Sequence, residues 1–295
     1  MSQTVKEPAK IEAQLSFPPL DENFYNLRPE DSAFFKELTG IEDDAALKQH
    51  ILDVQAKAYK VAPYGCIYLF GFTRYQVLRL GRERKNAIFL DIGCCFGNVI
   101  REAVLDGFPA AQAIGSDLHQ ELWDLGHELF KSSPETFPAH FMGGDAFDPK
   151  MLAIARPASV QTTGAPSPDL NNLTSLNPLH GCVSAIHATS FFHLFKEDKQ
   201  LHMARAFAGL LSAEPGSVIF RAHIGAKEKG PVKKEFDKVE VEMFGHNPES
   251  WISMWDGVVF EKGMVKVEAE LRDETLGTAG RNNRPLSLFW SVTRL

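Results

Sequence analysis

The sequence predicts an α/β fold with a seven-stranded sheet: five parallel strands, a C-terminal antiparallel hairpin, and an N-terminal helical cap. Three observations predict it. From Asn86 onward, short apolar runs alternate with helical stretches, as in a parallel sheet covered by crossover helices. The chain ends in two alternating apolar runs, Val265–Leu271 and Leu286–Val292, whose polar connection Arg272–Arg284 has no easy helical pattern. Before Asn86, apolar positions recur at helical spacing instead.

Taken in order, the residues up to about Leu20, with Phe17-Pro18-Pro19, read as a surface arm. Ala46, Leu47, His50, Ile51, Val54, Ala58 and Val61 mark an amphipathic helix that Pro63 closes. Tyr59, Tyr64, Tyr68 and Tyr75 fall in the same neighbourhood; they suit a packing face or a cap over a pocket equally well. Ala87–Ile92 is the first expected strand and Val99–Leu105 its helix. Ala111–Ser116 is the second, followed by a helix carrying Leu122, Trp123, Leu125, Leu129 and Phe130. Phe137–Gly143, Val183–His187 and Ser217–Ala222 follow as strands three to five, with a helix over Leu201–Leu211. Residues 156–181, rich in Pro, Ser, Thr and Asn, form a long insertion of the kind that becomes a lid or stays disordered. The expected division is 1–85 for arm and cap and 86–295 for a Rossmann-like ligand-binding core.

Composition narrows the function. A net charge of -7, from 31 basic and 38 acidic residues, disfavours general nucleic-acid binding, which rests on phosphate neutralisation. No run approaches the ~20 apolar residues of a membrane span, and Met1–Ala13 has no signal-peptide pattern. Cys66, Cys94, Cys95 and Cys182 show neither metal-ligand spacing nor a disulfide framework. Free thiols in a cytoplasmic protein, and no bound metal, are the expectation.

Three elements point to a ligand. In Asp91-Ile92-Gly93-Cys94-Cys95-Phe96-Gly97, glycines sit between an apolar strand and a helix. Gly93 permits the tight turn and Gly97 a close backbone approach; the helix N-terminus offers N–H groups to an anion. Asp117, in Ile114-Gly115-Ser116-Asp117-Leu118, lies at the distance where a carboxylate meets ribose hydroxyls. Helix N-capping would also use Asp there. Gly143-Gly144-Asp145-Ala146-Phe147-Asp148 could meet adenine at the third strand's edge, although Gly-Gly-Asp is also plain turn chemistry. Together the three call for an adenosine-containing cofactor. Gly93-x-Cys95-x-Gly97 fails the dinucleotide pattern G-x-G-x-x-G and fits G-x-G-x-G with Cys95 substituted. With the terminal hairpin, that selects S-adenosylmethionine (SAM) over NAD.

Phe89–Gly97, Gly144–Asp148, Ser184–Ala188, Ser190–Phe195 and Trp290–Leu295 resemble fungal secondary-metabolism methyltransferases, especially O-methyltransferases of meroterpenoid pathways. The resemblance runs from about Pro29 to the C-terminus. It implies a class I SAM-dependent enzyme that methylates a small natural product, often at a carboxylate. It also implies that Asp117 and Leu118 hold the ribose and Asp145 and Ala146 the adenine. Asp91, Gly93, Cys94, Gly97 and His187 complete the expected cofactor set.

His193 and His223, near the carboxyl ends of strands four and five, are the candidates for a general base. A carboxylate acceptor, already ionised, would need none. Tyr64, Tyr68, Trp251 and Trp255 are the expected acceptor-pocket residues; for each, core packing is the alternative. The cofactor motifs serve N- or C-methylation equally well. Cys95, where a glycine was due, keeps open a SAM-binding homologue acting as a non-methylating cyclase or scaffold. The partner is a small-molecule acceptor; oligomeric state is open, a homodimer included.

Overall fold

The computed structural model describes residues 19–68, 70, 84, 86–159, 168–236, 239–273 and 286–295. The N-terminal arm up to Pro18, Tyr75, and parts of the 156–181 insertion and the Arg272–Arg284 connection lie outside the described residues.

Three helices form the cap: α1 (Pro29–Thr39), α2 (Asp44–Val61) and the short α3 (Gly65–Tyr68). Asp43 accepts from the Ala46 N–H at the start of α2, an N-cap that satisfies one orphan donor. Leu47, Ile51, Val54 and Ala58 form the buried stripe of α2. The core then runs β1 (Phe89–Ile92), α4 (Asn98–Leu105), β2 (Ala113–Asp117), α5 (Gln120–Leu129), β3 (His140–Gly143), β4 (Ala185–His187), α6 (Glu197–Leu210) and β5 (Val218–Ile224). After these come β6 (Gly230–Phe236), β7 (Val239–Gly245), α7 (Pro248–Trp255), β8 (Val265–Arg272) and β9 (Ser287–Arg294).

The main sheet has the order β3-β2-β1-β4-β5-β9-β8. The first five strands pair parallel, while β9 pairs antiparallel with both β5 and β8. The expected closing hairpin is present, and β9 is the strand that joins it to the parallel set. Strands two and three begin later than expected, at Ala113 and His140, because Ala110–Gln112 forms a 3-10 turn and Thr136 and Phe137 close a turn on Ser133. The β6–β7 hairpin was not foreseen; its strands pair antiparallel from Gly230↔Gly245 to Phe236↔Val239.

The order of the strands reverses at β1, which pairs with β2 on one side and β4 on the other. Ligands of open α/β sheets bind outside the carboxyl ends at such a switch point. One hydrophobic cluster joins Leu90, Ile186, Ile219 and Val292 of the sheet to Trp251 of α7. The cap forms a second cluster in which Phe35, Ile51 and Val54 meet Phe96 of the β1–α4 loop and Leu122, Leu129 and Phe130 of α5. Phe35 stacks on Phe130 at 5.3 Å, and His50 Nε2 lies 2.7 Å from the Leu129 carbonyl oxygen. The cap therefore shares its apolar core with the β1–α4 loop and α5.

The described end of the 156–181 insertion is anchored rather than lid-like. Leu176 and Leu179 are fully buried. The Asn177 side chain accepts from the Ala153 N–H at 2.7 Å and donates to the Pro149 and Lys150 carbonyls.

Candidate active site

The loop between β1 and α4 is built on left-handed residues at alternate positions. Gly93, Cys95 and Gly97 have φ of 73°, 50° and 71°. Glycine takes this region freely, whereas an L side chain pays roughly 1–2 kcal/mol for it. The glycine pattern read in the sequence is thus a backbone requirement, and Cys95 meets it under strain. The turn is pinned by the Gly93 and Cys94 N–H groups, which both donate to the Ser116 carbonyl at the end of β2.

Gly97 answers a packing demand besides the close ligand approach expected. A Cβ there would lie 2.5 Å from the Trp123 ring, and one on Gly115 would lie 2.7 Å from the same ring. A Cβ on Gly126 would come within 2.3 Å of the Phe96 carbonyl oxygen. Trp123, Gly115 and Gly126 are therefore what seats α5 against the loop. Sequence reasoning missed that role, since the signal is spread over three segments that meet only in the fold. Gly93 faces the other way: a Cβ there would be 3.3 Å from Phe191, in the segment leaving β4.

Asp117 ends β2 and is buried. Its carboxylate accepts from the Cys95 N–H at 2.9 Å and from the His119 N–H at 3.1 Å. Burial pushes this carboxyl up, an effect the two N–H donors partly offset. Each oxygen keeps a lone pair, so the group can still accept hydroxyls. The Gly144 N–H donates to the Asp117 carbonyl, which ties the end of β3 to the end of β2. Beyond it Asp145 is exposed, with Oδ1 accepting from the Phe147 N–H, and Ala146 is half-buried. Leu118 is exposed. The Asp91, Asp117 and Asp145 segments therefore converge at the carboxyl ends of β1, β2 and β3.

His187 ends β4 opposite Asp91 in the register. Its Nδ1–H donates to Asp91 Oδ1 at 2.6 Å with both side chains buried, so the ring is committed by one edge. The other edge, Nε2, is buried and has no protein partner among the described residues. A buried polar atom in that state calls for a ligand or water.

The cap reaches this region through α3. Tyr64 packs against His119, two residues past Asp117, with ring centroids 5.9 Å apart. Tyr68 instead sits against Phe24 and Tyr59 inside the cap. Trp251 and Trp255 are fully buried on the far side of β5, around Phe192 and Trp290. The structure does not bring the two tyrosines and the two tryptophans together.

His223 belongs to the tryptophan cluster, 4.6 Å from Trp251 by ring centroids. Trp290 Nε1–H donates to its Nδ1 at 2.8 Å. Burial pushes this imidazole well below its usual pKa, so it is neutral with its proton on Nε2. In that tautomer His223 is a hydrogen-bond donor, not a base. His246, also buried, is lowered to about 4 by desolvation and by Lys229. It lines a cavity of about 310 Å³ with Leu201, Ser253, Met254 and Val258. His193 is buried, 6.4 Å from His223 by ring centroids, and its Nδ1 accepts from the Ile224 N–H at 3.4 Å.

Residues 20–73 match the meroterpenoid methyltransferase N-terminal domain family. The chain is 33% identical over 221 residues to O-methyltransferase phiE from Fungal sp. (strain ATCC 74256), a stretch taking in 72% of this chain and 65% of that protein. The chain resembles the fungal meroterpenoid methyltransferases. The Asnovolin E/Chermesin D methyltransferase nvfJ of Aspergillus novofumigatus is 27% identical, over 73% of this chain and 71% of its own length. Among solved structures, a putative S-adenosylmethionine dependent methyltransferase from Listeria monocytogenes overlaps 72% of this chain and 92% of its own. It does so with 11% identity and a TM-score of 0.44, too loose an overlap to argue from. The strand order seen directly, with β9 antiparallel between β5 and β8, is the five-stranded parallel sheet with a closing hairpin that the sequence predicts. No described helix is long and apolar enough to cross a membrane.

Proposed function

We propose that the protein transfers the methyl group of SAM to an oxygen of a small, largely apolar natural product, with a carboxylate as the acceptor. One observation carries this reading: the left-handed β1–α4 loop hydrogen-bonded to Asp117 at the switch point of the sheet. The groups present fit the cofactor. Asp117 would take the ribose hydroxyls, and the Asp145–Ala146 turn the adenine edge. The first turn of α4, which has no side-chain cap, would hold the methionine carboxylate. His187 Nε2, one of the buried atoms with no partner among the described residues, would face the amino-acid end. When bound, SAM supplies an electrophilic methyl on a sulfonium.

What the chain then contributes is position and dryness. Transfer is an in-line displacement, so aligning the nucleophile supplies much of the acceleration. An ionised carboxylate needs no base, which agrees with a His223 fixed as a neutral donor. The name of phiE supports oxygen as the methylated atom, and the matched meroterpenoid methyltransferase family a terpenoid-sized acceptor. Leu201, Met254 and Val258 give the cavity beside His246 an apolar lining suited to such a body.

Cys95 raised the alternative of a non-methylating SAM binder, because its side chain stands where a glycine was due. Cys95 nonetheless takes the left-handed backbone of the loop and gives its N–H to Asp117, which supports the methylating reading. The test is incubation with methyl-labelled SAM and a panel of apolar carboxylic acids, alcohols and amines, identifying the labelled atom. The expected product is a methyl ester; label on nitrogen or carbon overturns the oxygen assignment.

A further inference from the structure

The cavity beside His246 is enclosed by segments far apart in the chain. Glu197 and Leu201 come from α6, Lys229 from the connection between β5 and β6, and Met254 and Val258 from α7 and the turn after it. Hydrogen bonds tie these walls together. The Ala226 N–H donates to the His246 carbonyl at 2.9 Å, and Gln200 Nε2 of α6 donates to the Phe244 carbonyl of β7 at 2.9 Å. The chain reaches α6 from the carboxyl end of β4 and Lys229 from that of β5, so the cavity lies on the ligand-binding edge of the sheet.

Leu201, Met254 and Val258 make the walls apolar, and the two charged groups of the lining, Lys229 and Glu197, pair with each other at the exposed rim. His246 is the buried polar residue of the lining. Its Nδ1 lies 2.9 Å from Ser250 Oγ. That oxygen also accepts from the Asn247 N–H at 3.2 Å and donates to the Asn247 carbonyl at 3.1 Å. A serine hydroxyl has one proton. All three bonds form together only when that proton points at Asn247 and His246 Nδ1 carries the ring proton. The ring is neutral, so Nε2 is then a bare acceptor, and it has no partner among the described residues. A buried acceptor in that state calls for a donor.

We propose that this cavity is a subsite for the apolar body of the methyl acceptor, and that His246 Nε2 selects acceptors carrying a hydroxyl on that body. The hydroxyl donates to Nε2, while Leu201, Met254 and Val258 pack on the carbon skeleton around it. An analogue lacking the hydroxyl leaves Nε2 buried and unpaired, which is how a site built for a hydrogen bond rejects the wrong ligand.

The same chemistry keeps the acceptor's carboxylate out of the cavity. A carboxylate has no proton to give and would meet the Nε2 lone pair, and the lysine of the rim already holds Glu197. The carboxylate is therefore left outside, available for methyl transfer. The acceptor role of the cavity rests on the SAM reading; the hydroxyl site itself does not.

The experiment titrates the full chain with β-naphthol and with its methyl ether, which keeps the ring system and lacks the donor, and follows the histidine ring nitrogens by NMR of isotope-labelled protein. The expected result is a His246 ring protonated at Nδ1 and bare at Nε2, about tenfold tighter binding of β-naphthol than of the ether, and a shift of the Nε2 resonance with β-naphthol alone. His246→Leu should bind the two probes equally. Ser250→Ala, which releases Nδ1 from its acceptor and lets the ring proton move to Nε2, should lose most of the preference. Equal affinities in the unaltered protein, no binding of either probe, or a ring protonated at Nε2 overturns the hydroxyl site. β-Naphthol should also inhibit methyl transfer competitively with the acceptor; binding at His246 without competition overturns the acceptor role and leaves the hydroxyl site standing. Failure to bind S-adenosylhomocysteine overturns the SAM reading and, with it, the acceptor role, while the two titrations still decide the hydroxyl site.

Discussion

The cofactor loop and the β5 end of the sheet are built differently. The cofactor loop is made of backbone: three left-handed residues, two N–H groups on one carbonyl, and a carboxylate at the end of the neighbouring strand. The β5 end is made of side chains, with Trp251, Trp255, Trp290, Phe192 and His223 gathered from four separate segments. A backbone cradle holds whatever shares the cofactor's constant parts. The side-chain cluster is held by its own packing, with Trp251, Trp255 and Phe192 fully buried.

Their electrostatics differ in the same sense. On the loop side, α4 carries Glu102, whose carboxyl burial pushes up to about 7. At the β5 end, burial holds His223 well below its usual value and His246 near 4, so both stay neutral through the physiological range. The acid can titrate there and these histidines cannot.

The largest effect expected is at Asp117. Asp117→Ala should weaken S-adenosylhomocysteine binding by about 3 kcal/mol, roughly a hundredfold, through loss of charge-assisted hydrogen bonds. Calorimetry on the folded variant checks it, and a loss under threefold would remove the ribose assignment.

Glu102 comes next. Its pKa is raised in the folded state, so that state binds more protons than the unfolded one between pH ~4.5 and ~7. Its contribution to stability is full below that window and is lost as pH rises through it. Glu102→Gln should therefore stabilise the protein on the order of 2 kcal/mol at pH 8 and little at pH 4.5. Urea melts at the two pH values measure the difference, and an equal effect at both contradicts the shift.

Trp290→Phe would leave His223 Nδ1 buried without its donor, costing about 1.5 kcal/mol of stability. Calorimetry with S-adenosylhomocysteine should then give wild-type affinity, because the two ends are separately built. A parallel loss of affinity would show that they are coupled. The smallest effect is at Cys95, where Cys95→Gly should be more stable than Cys95→Ala by about 1 kcal/mol, since only glycine relieves a φ of 50°. Thermal melts of the two variants decide it.

What could be read in the sequence follows the same division. Asp91, Gly93, Gly97, Asp117 and Asp145 were legible because each is set by a local strand-to-turn geometry that leaves a short motif. The β8–β9 hairpin was legible from alternation alone. Trp123 against Gly97 and Gly115 was not, because the demand for glycine comes from a ring twenty-six residues from one and eight from the other. The tautomer of His223 depends on Trp290, sixty-seven residues away. The β6–β7 hairpin had a signal, the alternation of Val239, Val241 and Met243, which the stronger terminal pair overshadowed.

The central claim is that the β1–α4 loop with Asp117 is a SAM site, and calorimetric titration of the reduced protein with S-adenosylhomocysteine tests it most directly. The account predicts one-to-one binding that Asp117→Ala weakens roughly a hundredfold. No measurable heat and no rise in Tm with the ligand present would contradict it.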